Sequence, residues 1–335
     1  MAVFTEVSFD EAAELVARLG LGQLTALDGI ASGIENTNYF ADTAQGRFVL
    51  TLFERLGAEQ VPFYLQLMKH LADRGLPVPG PKADAAGEIM HSLRGKPAAV
   101  VDRLRGGHRL APAAAHCAQL GQALARMHLA VADFPLHQPN LRGLAWWTET
   151  VPIVHPHLSA DQRTLINAEL TFQQQLAASA AHAALPRGAI HADLFRDNVM
   201  WLDTPSGDEL TGLFDFYFAG FDTLLFDIAV CLNDWCIDLE SGRLDEDRAF
   251  ALVSAYDAVR ALSNNELRLL PATMRGAALR FWISRLWDFH LPRDASVLTA
   301  HDPTHFERVL RDRSAAPWHP LLSRSTPHAS SSPSS

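Results

Sequence analysis

The segment His191-Ala192-Asp193-Leu194-Phe195-Arg196-Asp197-Asn198 has the spacing H-x-D-x-x-x-x-N. That spacing suits transfer of a phosphoryl group to a hydroxyl. The aspartate faces the hydroxyl and accepts its proton, and the asparagine turns back toward a magnesium ion on the nucleotide phosphates. An irregular loop held between two regular elements can present both groups. A polar loop with a capping aspartate would carry the same letters, so the residues downstream decide between the two readings. Val199 to Leu202 reads as a short strand, Pro205-Ser206-Gly207-Asp208 as a turn, and Leu213-Phe214-Asp215-Phe216 as the end of the next strand. A carboxylate between Phe214 and Phe216 is costly unless it meets something positive. Magnesium suits it, since it takes one or two carboxylate or amide oxygens and keeps phosphates and waters as its other ligands. Arg196, three residues after Asp193, either neutralises the transferring phosphoryl group or forms an ion pair with Asp197 or Asp222. No other phosphate device is present: Gly75 to Lys82 has the length of a Walker loop without its Gly-Lys-Ser/Thr ending, and a dinucleotide-binding glycine fingerprint is missing.

Two kinds of element must hold this loop. Ser8 and Glu11 form a capping-box pattern before a helix that Gly20 stops. Leu24 to Ile30, Asn38 to Ala41 and Arg47 to Phe53 are β-prone, with a turn at 42–46. Residues 58–74 repeat Tyr64, Leu67, Met68 and Leu71 at helical spacing, and Glu88 to Leu93 and Lys96 to Leu104 add two strands. Gly106-Gly107 marks a break. Beyond it Leu120, Leu124, Met127 and Val131 continue one helical face, a capping box at Ser159 and Gln162 opens another helix, and 222–314 is again helical. These patterns predict an α+β fold: a β-rich lobe over residues 1–104, a mainly helical catalytic lobe over 105–324, and a Ser/Pro-rich tail at 325–335 with nothing to bury.

Composition narrows the function. With 335 residues, 48% of them hydrophobic, the chain can build two lobes. A net charge of -10 with only Lys69, Lys82 and Lys96 as lysines disfavours nucleic acid, which needs clustered cations. Acids near the N-terminus and the lack of a long uncharged apolar run point to a cytoplasmic protein with no membrane partner. Cys117, Cys231 and Cys236 have neither disulfide nor zinc spacing.

The chain resembles the aminoglycoside and choline phosphotransferase superfamily, which has the protein-kinase-like two-lobed fold, and within it the bacterial homoserine kinases. The loop and strand motifs, His191 to Asn198 and Phe214-Asp215-Phe216-Tyr217-Phe218-Ala219, carry the superfamily. Ser32 to Phe40, Phe48 to Glu54 and Arg280 to Asp288 resemble the homoserine kinases in particular. The resemblance implies ATP and Mg2+ as cofactors and L-homoserine as acceptor, on the route to threonine. Asp193 would be the base, and Asn198 and Asp215 the metal ligands. Ser32, Gly33, Asn36 and Asn38 would belong to the phosphate-covering loop, and Asp102 to Leu104 to the adenine hinge. His191 would be a structural hydrogen-bonder and Asp227 a brace. One departure stands out: the third strand lacks the usual lysine, and Thr51 takes its place.

A homoserine site needs a cation for the carboxylate, an anion for the ammonium and a base at the hydroxyl. Arg285 and Asp288 lie one helical turn apart, with Trp282 and Trp287 beside them, so they read either as carboxylate and ammonium contacts or as a surface ion pair. Another small acceptor, such as choline, an aminoglycoside or a hydroxy amino acid, and a non-catalytic nucleotide-binding scaffold are the alternatives.

Overall fold

The computed structural model describes residues 4–30, 36–291 and 301–322. Helix α1 (Phe9–Arg18) opens with the capping box of Ser8 and Glu11. Strands β1 (Leu24–Gly29), β2 (Asn36–Thr43) and β3 (Arg47–Phe53) follow, then α2 (Val61–Asp73), β4 (His91–Leu93) and β5 (Lys96–Asp102). The strands form one antiparallel sheet in the order β1-β2-β3-β5-β4.

Side chains alternate across this sheet, because successive residues of a strand point to opposite faces. Leu50 and Leu52 of β3 and Ala98 and Val100 of β5 pack against Leu15 and Val16 of α1, forming a core of their own. On the opposite face, Phe53, Ala99 and Val101 join the core that runs into the helical part. On that same face Asn36, Asn38 and Phe40 of β2 and Arg47, Val49 and Thr51 of β3 line a cleft. Period two therefore decides which residues of this sheet can meet a ligand.

The chain leaves the sheet at Asp102 and enters α3 (Ala114–Ala130) after a link that pairs Gly107 with Trp201 through two backbone hydrogen bonds of 2.8 Å. Helices α4 (Leu144–Val154), α5 (Ala160–Ala177) and α6 (Ala180–Ala183) come next. The His191 to Asn198 segment lies between β6 (Arg187–Ile190) and the β7 (Val199–Thr204), β8 (Gly207–Leu213) hairpin, with β9 (Gly220–Thr223) pairing back on β6. Helices α7 (Leu224–Trp235), α8 (Glu246–Val259), α9 (Asn264–His290) and α10 (Thr304–Ala315) complete the lobe. Every residue of α7 is buried, so it is apolar all round apart from Asp227, Asn233 and Asp234.

Helix α3 meets α8 more extensively than any other pair of helices. The approach depends on Gly121, where an added Cβ would lie 2.2 Å from the Leu252 carbonyl oxygen. Gly121→Ala gains about 1 kcal/mol of helix propensity, but the clash is with backbone and cannot be relieved by a side-chain rotation. Overpacking of this kind costs roughly 1–3 kcal/mol or more, so the variant should melt several degrees lower. An unchanged melting temperature would mean that the two helices can separate freely.

The cysteines are free and buried. Among the described residues no helix is long and apolar enough to cross a membrane. Ser32, Gly33 and the 325–335 tail lie outside the described residues.

Candidate active site

Sheet, link and helices enclose a cleft of about 1210 Å3. At one wall, Asp193 leaves β6 on a loop that its own backbone bonds keep rigid. Phe195 N–H donates to the Asp193 carbonyl at 2.8 Å, and Asn198 N–H to the Phe195 carbonyl at 2.9 Å. Asp227, wholly buried on α7, accepts the N–H of His191 at 2.8 Å and of Ala192 at 2.6 Å, and faces His128 Nε2 at 3.1 Å. Ala192 has φ 65°, a conformation that costs a non-glycine residue energy and persists only where the surroundings fix it. The two hydrogen bonds to Asp227 supply that constraint.

His191 is also fully buried, and burial holds its imidazole below the ordinary histidine range. Neutral His191 donates from Nε2 to the Phe214 carbonyl at 2.9 Å and accepts at Nδ1 from Asp193 N–H at 3.3 Å. It thereby ties the loop to the segment that carries Asp215, which lies just past β8 rather than at the end of the strand. Asp215, with φ 64° and ψ 58°, is left-handed as well. The backbone outliers of this site thus sit directly before and opposite Asp193.

Burial pushes the Asp193 carboxyl up to about 8, against the pull of Arg280; the nearby Asp215 raises it further. Asn198 Nδ2 donates to the Asp193 carbonyl at 2.8 Å, which turns its amide oxygen the other way. Asp193, Asn198 and Asp215 all line the cleft. Among the described residues no three His, Cys, Asp or Glu side chains form a metal cluster. The pair Asn198 and Asp215 offers one amide oxygen and one carboxylate, a donor set that fits a magnesium ion sharing its shell with phosphates and water.

At the other end, Asp102, Arg103 and Leu104 border the cleft. The N–H groups of Asp102 and Arg103 are engaged by the Gly80 and Arg47 carbonyls, and the Asp102 carboxylate pairs with Lys82 at 2.7 Å. Lys96 pairs with Glu54. None of the lysines lines the cleft, whose cations are Arg47, Arg103, Arg105, Arg142, Arg280 and Arg285. Thr51 Oγ1 donates to Asn38 Oδ1 at 2.7 Å, joining two floor residues across β2 and β3. Arg55 is exposed at the end of β3 and does not take the missing lysine's place.

Arg196 does not line the cleft. It is buried and turned toward α7: its backbone N–H and Nε donate to Asp234 Oδ2 at 2.8 and 3.1 Å, Nη1 donates to the Leu110 carbonyl at 2.9 Å, and Nη2 bonds the Asp234 carbonyl. Its ion pair is thus with Asp234 and with neither Asp197 nor Asp222. The reason is chemical: a guanidinium with Nε, both Nη groups and the backbone amide engaged is a fixed strut, with no edge left to reach a ligand.

Arg285 and Asp288 both line the cleft, and burial holds Arg285 below its ordinary range against the pull of Asp193 and Asp288. Trp287 lines it too, whereas Trp282 is wholly buried in the core. Arg142 and Trp146, whose guanidinium and ring stack at 4.5 Å, line the cleft as well. Sequence reasoning missed Arg142, Trp146, Tyr217 and above all Arg280, whose Nη2 is 3.9 Å from Asp193 Oδ1. The signal was present. Arg280, Ser284, Trp287 and Asp288 recur at helical spacing on α9, and all four line the cleft.

A β-sheet lobe joined by a short link to a helical lobe, with Asp193, Asn198 and Asp215 lining the cleft between them, is the architecture of a protein-kinase-like phosphotransferase. The chain belongs to the phosphotransferase enzyme family, whose model matches residues 27–262. It is 65% identical over 318 residues to the homoserine kinase of Polaromonas naphthalenivorans, covering 95% of this chain and 99% of that one. It is 53% identical over 322 residues to the homoserine kinase of a Janthinobacterium species, covering 96% and 99%. Among solved structures, an amicoumacin kinase in complex with AMP-PNP, Ca2+ and Ami superposes with a TM-score of 0.65 at 16% identity, covering 92% of each chain. A spectinomycin phosphotransferase in complex with ADP and spectinomycin gives 0.64 at 13% identity, covering 93% and 99%. At such identity the two structures speak for the fold alone.

Proposed function

We propose that the chain transfers the γ-phosphoryl group of ATP to the side-chain hydroxyl of L-homoserine, giving ADP and O-phospho-L-homoserine, a step toward threonine. The observation that carries this reading is the near-full-length identity of 65% to a homoserine kinase. The cleft supports it, since its acceptor end is rich in arginine. Choline and aminoglycosides would leave Arg285 without an anion, whereas an amino acid brings a carboxylate for Arg285 and an ammonium for Asp288.

Asp193 orients the acceptor hydroxyl and takes its proton as the oxygen bonds the γ-phosphorus and the bond from phosphorus to the β,γ-bridging oxygen breaks. Asn198 and Asp215 would hold Mg2+, which when bound neutralises charge on the phosphates. Asn36, Asn38 and Thr51 floor the nucleotide's phosphate end, and Asp102 and Leu104 border its base end. Arg285 binds the homoserine carboxylate and Asp288 its ammonium. Little covalent chemistry is asked of the protein; it positions reactants and excludes water. The scaffold alternative gives no reason to keep Asp193, Asn198 and Asp215 together.

The test is ADP release with Mg-ATP against homoserine, choline and an aminoglycoside, each at matched concentration. Turnover on homoserine alone is expected; turnover confined to another acceptor would sink the substrate assignment. A charge-assisted hydrogen bond is worth about 1.5–3 kcal/mol, so Arg285→Ala should raise the homoserine KM roughly 10- to 100-fold and leave the ATP KM unchanged. An unchanged homoserine KM would remove Arg285 from the acceptor site.

A further inference from the structure

We propose that Arg280 is a catalytic residue that clamps the transferring phosphoryl group beside Asp193, the part that Arg196 is turned away from playing. This deepens the homoserine kinase reading and rests on it.

Arg280 is 3% exposed. Among the described residues its Nε and Nη2 donate no hydrogen bond. Those two nitrogens form the side-on edge of a guanidinium, the pair of parallel N–H groups that binds a carboxylate or phosphate in bidentate fashion. A buried donor without a partner costs stability, and its survival at a cleft wall indicates that a ligand completes it. Nη2 of this edge is the atom 3.9 Å from Asp193 Oδ1.

That distance selects the ligand. The acceptor hydroxyl must come within hydrogen-bond reach of Asp193, and the phosphorus lies about 3–3.5 Å from that oxygen in a near-attack geometry. An oxyanion held on the Nε/Nη2 edge therefore sits next to the reacting oxygen. The homoserine carboxylate is four bonds from it and has Arg285 on the same helix. The guanidinium is also fixed in plane. It stacks at 3.8 Å on the Phe281 ring and at 5.3 Å from the Phe218 ring. Burial lowers its pKa only to about 10, so it is charged at neutral pH. A fixed, desolvated cation facing the place where charge redistributes is the arrangement that stabilises a phosphoryl-transfer transition state.

In the step, the homoserine oxygen bonds the γ-phosphorus, the bridging-oxygen bond breaks with its electron pair leaving on ADP, and the proton goes to Asp193. Arg280 donates two hydrogen bonds to equatorial phosphoryl oxygens and transfers no proton.

The experiment compares wild type with Arg280→Gln and Arg280→Lys in steady-state kinetics. Circular dichroism serves as a fold check. Inhibition by ADP, Mg2+ and fluoroaluminate in the presence of homoserine is the transition-state readout. We expect kcat of the Gln variant to fall roughly 10²- to 10³-fold with both KM values within about 3-fold, and fluoroaluminate inhibition to be lost. The Lys variant, which keeps charge but not the bidentate edge, should lie between. If Arg280→Gln fails to fold, the Lys variant decides: full kcat with normal fluoroaluminate inhibition overturns the proposal. A rise in the homoserine KM with kcat preserved also overturns it, by placing Arg280 on the carboxylate. Wild-type enzyme that does not turn over homoserine would instead overturn the reading on which the proposal rests.

Discussion

Asp193→Asn should lower kcat by roughly 10²- to 10⁴-fold, the usual worth of a positioned general base, while leaving the protein folded and slightly more stable. The activity half rests on where the loop places Asp193; the stability half follows from its burial. Burial raises the Asp193 carboxyl to about 8, so the folded state disfavours the charged form. For a carboxylate whose pKa is higher folded than unfolded, the folded state binds the extra proton between the two values. Stability therefore falls as pH rises through that window, from the ordinary aspartate range to about 8. The amide removes this liability. In metal-free protein the variant should gain melting temperature over wild type at pH 8 and lose that gain at pH 4. Activity and stability thus move in opposite directions, as expected of a group kept for function. An Asp193→Asn enzyme with near-normal kcat, or one destabilised at high pH, would contradict the assignment.

Asp227→Ala should damage both stability and activity. It strips the acceptor from the buried N–H groups of His191 and Ala192, held at 2.8 and 2.6 Å. Each orphaned donor costs about 1–3 kcal/mol, so the two together should cost about 2–6 kcal/mol. At roughly 2–4 °C per kcal/mol for a chain of this size, the melting temperature should drop by about 10 °C. Ala192, released from its left-handed conformation, lets Asp193 drift, and a shift of about 1 Å at a reacting group can cost on the order of 10²-fold in rate. Asp227→Asn keeps one acceptor oxygen and should be intermediate in both. Calorimetry with kcat on the same samples checks this; a variant that melts like wild type would show that the loop holds its shape unaided.

The parts of the site that follow from local spacing were readable in the chain. The His191 to Asn198 octet, the hairpin after it and Asp215 between two phenylalanines need only neighbours in sequence. Asn36 and Asn38, read as part of a loop, lie on β2, where the alternation of the strand sends them to one face with Thr51 of β3. What escaped depends on distant partners. Arg196 meets Asp234 thirty-eight positions on, and no local rule distinguishes that partner from Asp197 or Asp222. Arg280 lies in Arg-Phe-Trp-Ile-Ser-Arg-Leu-Trp, a run whose apolar residues suggest a core helix. Helical spacing puts Arg280 on one face with Ser284 and Asp288, but packing is needed to show that this face meets the cleft while Trp282 points inward. Helix α4, which includes Trp146, was invisible because Leu144 to Val154 is apolar with little periodicity and contains Pro152.

The most direct test is 31P NMR of wild-type enzyme with Mg-ATP and L-homoserine. The account predicts a new phosphomonoester resonance, one equivalent for each ADP formed, that is missing with Asp193→Ala. ADP formed without that resonance, or the same resonance at undiminished rate with Asp193→Ala, would contradict it.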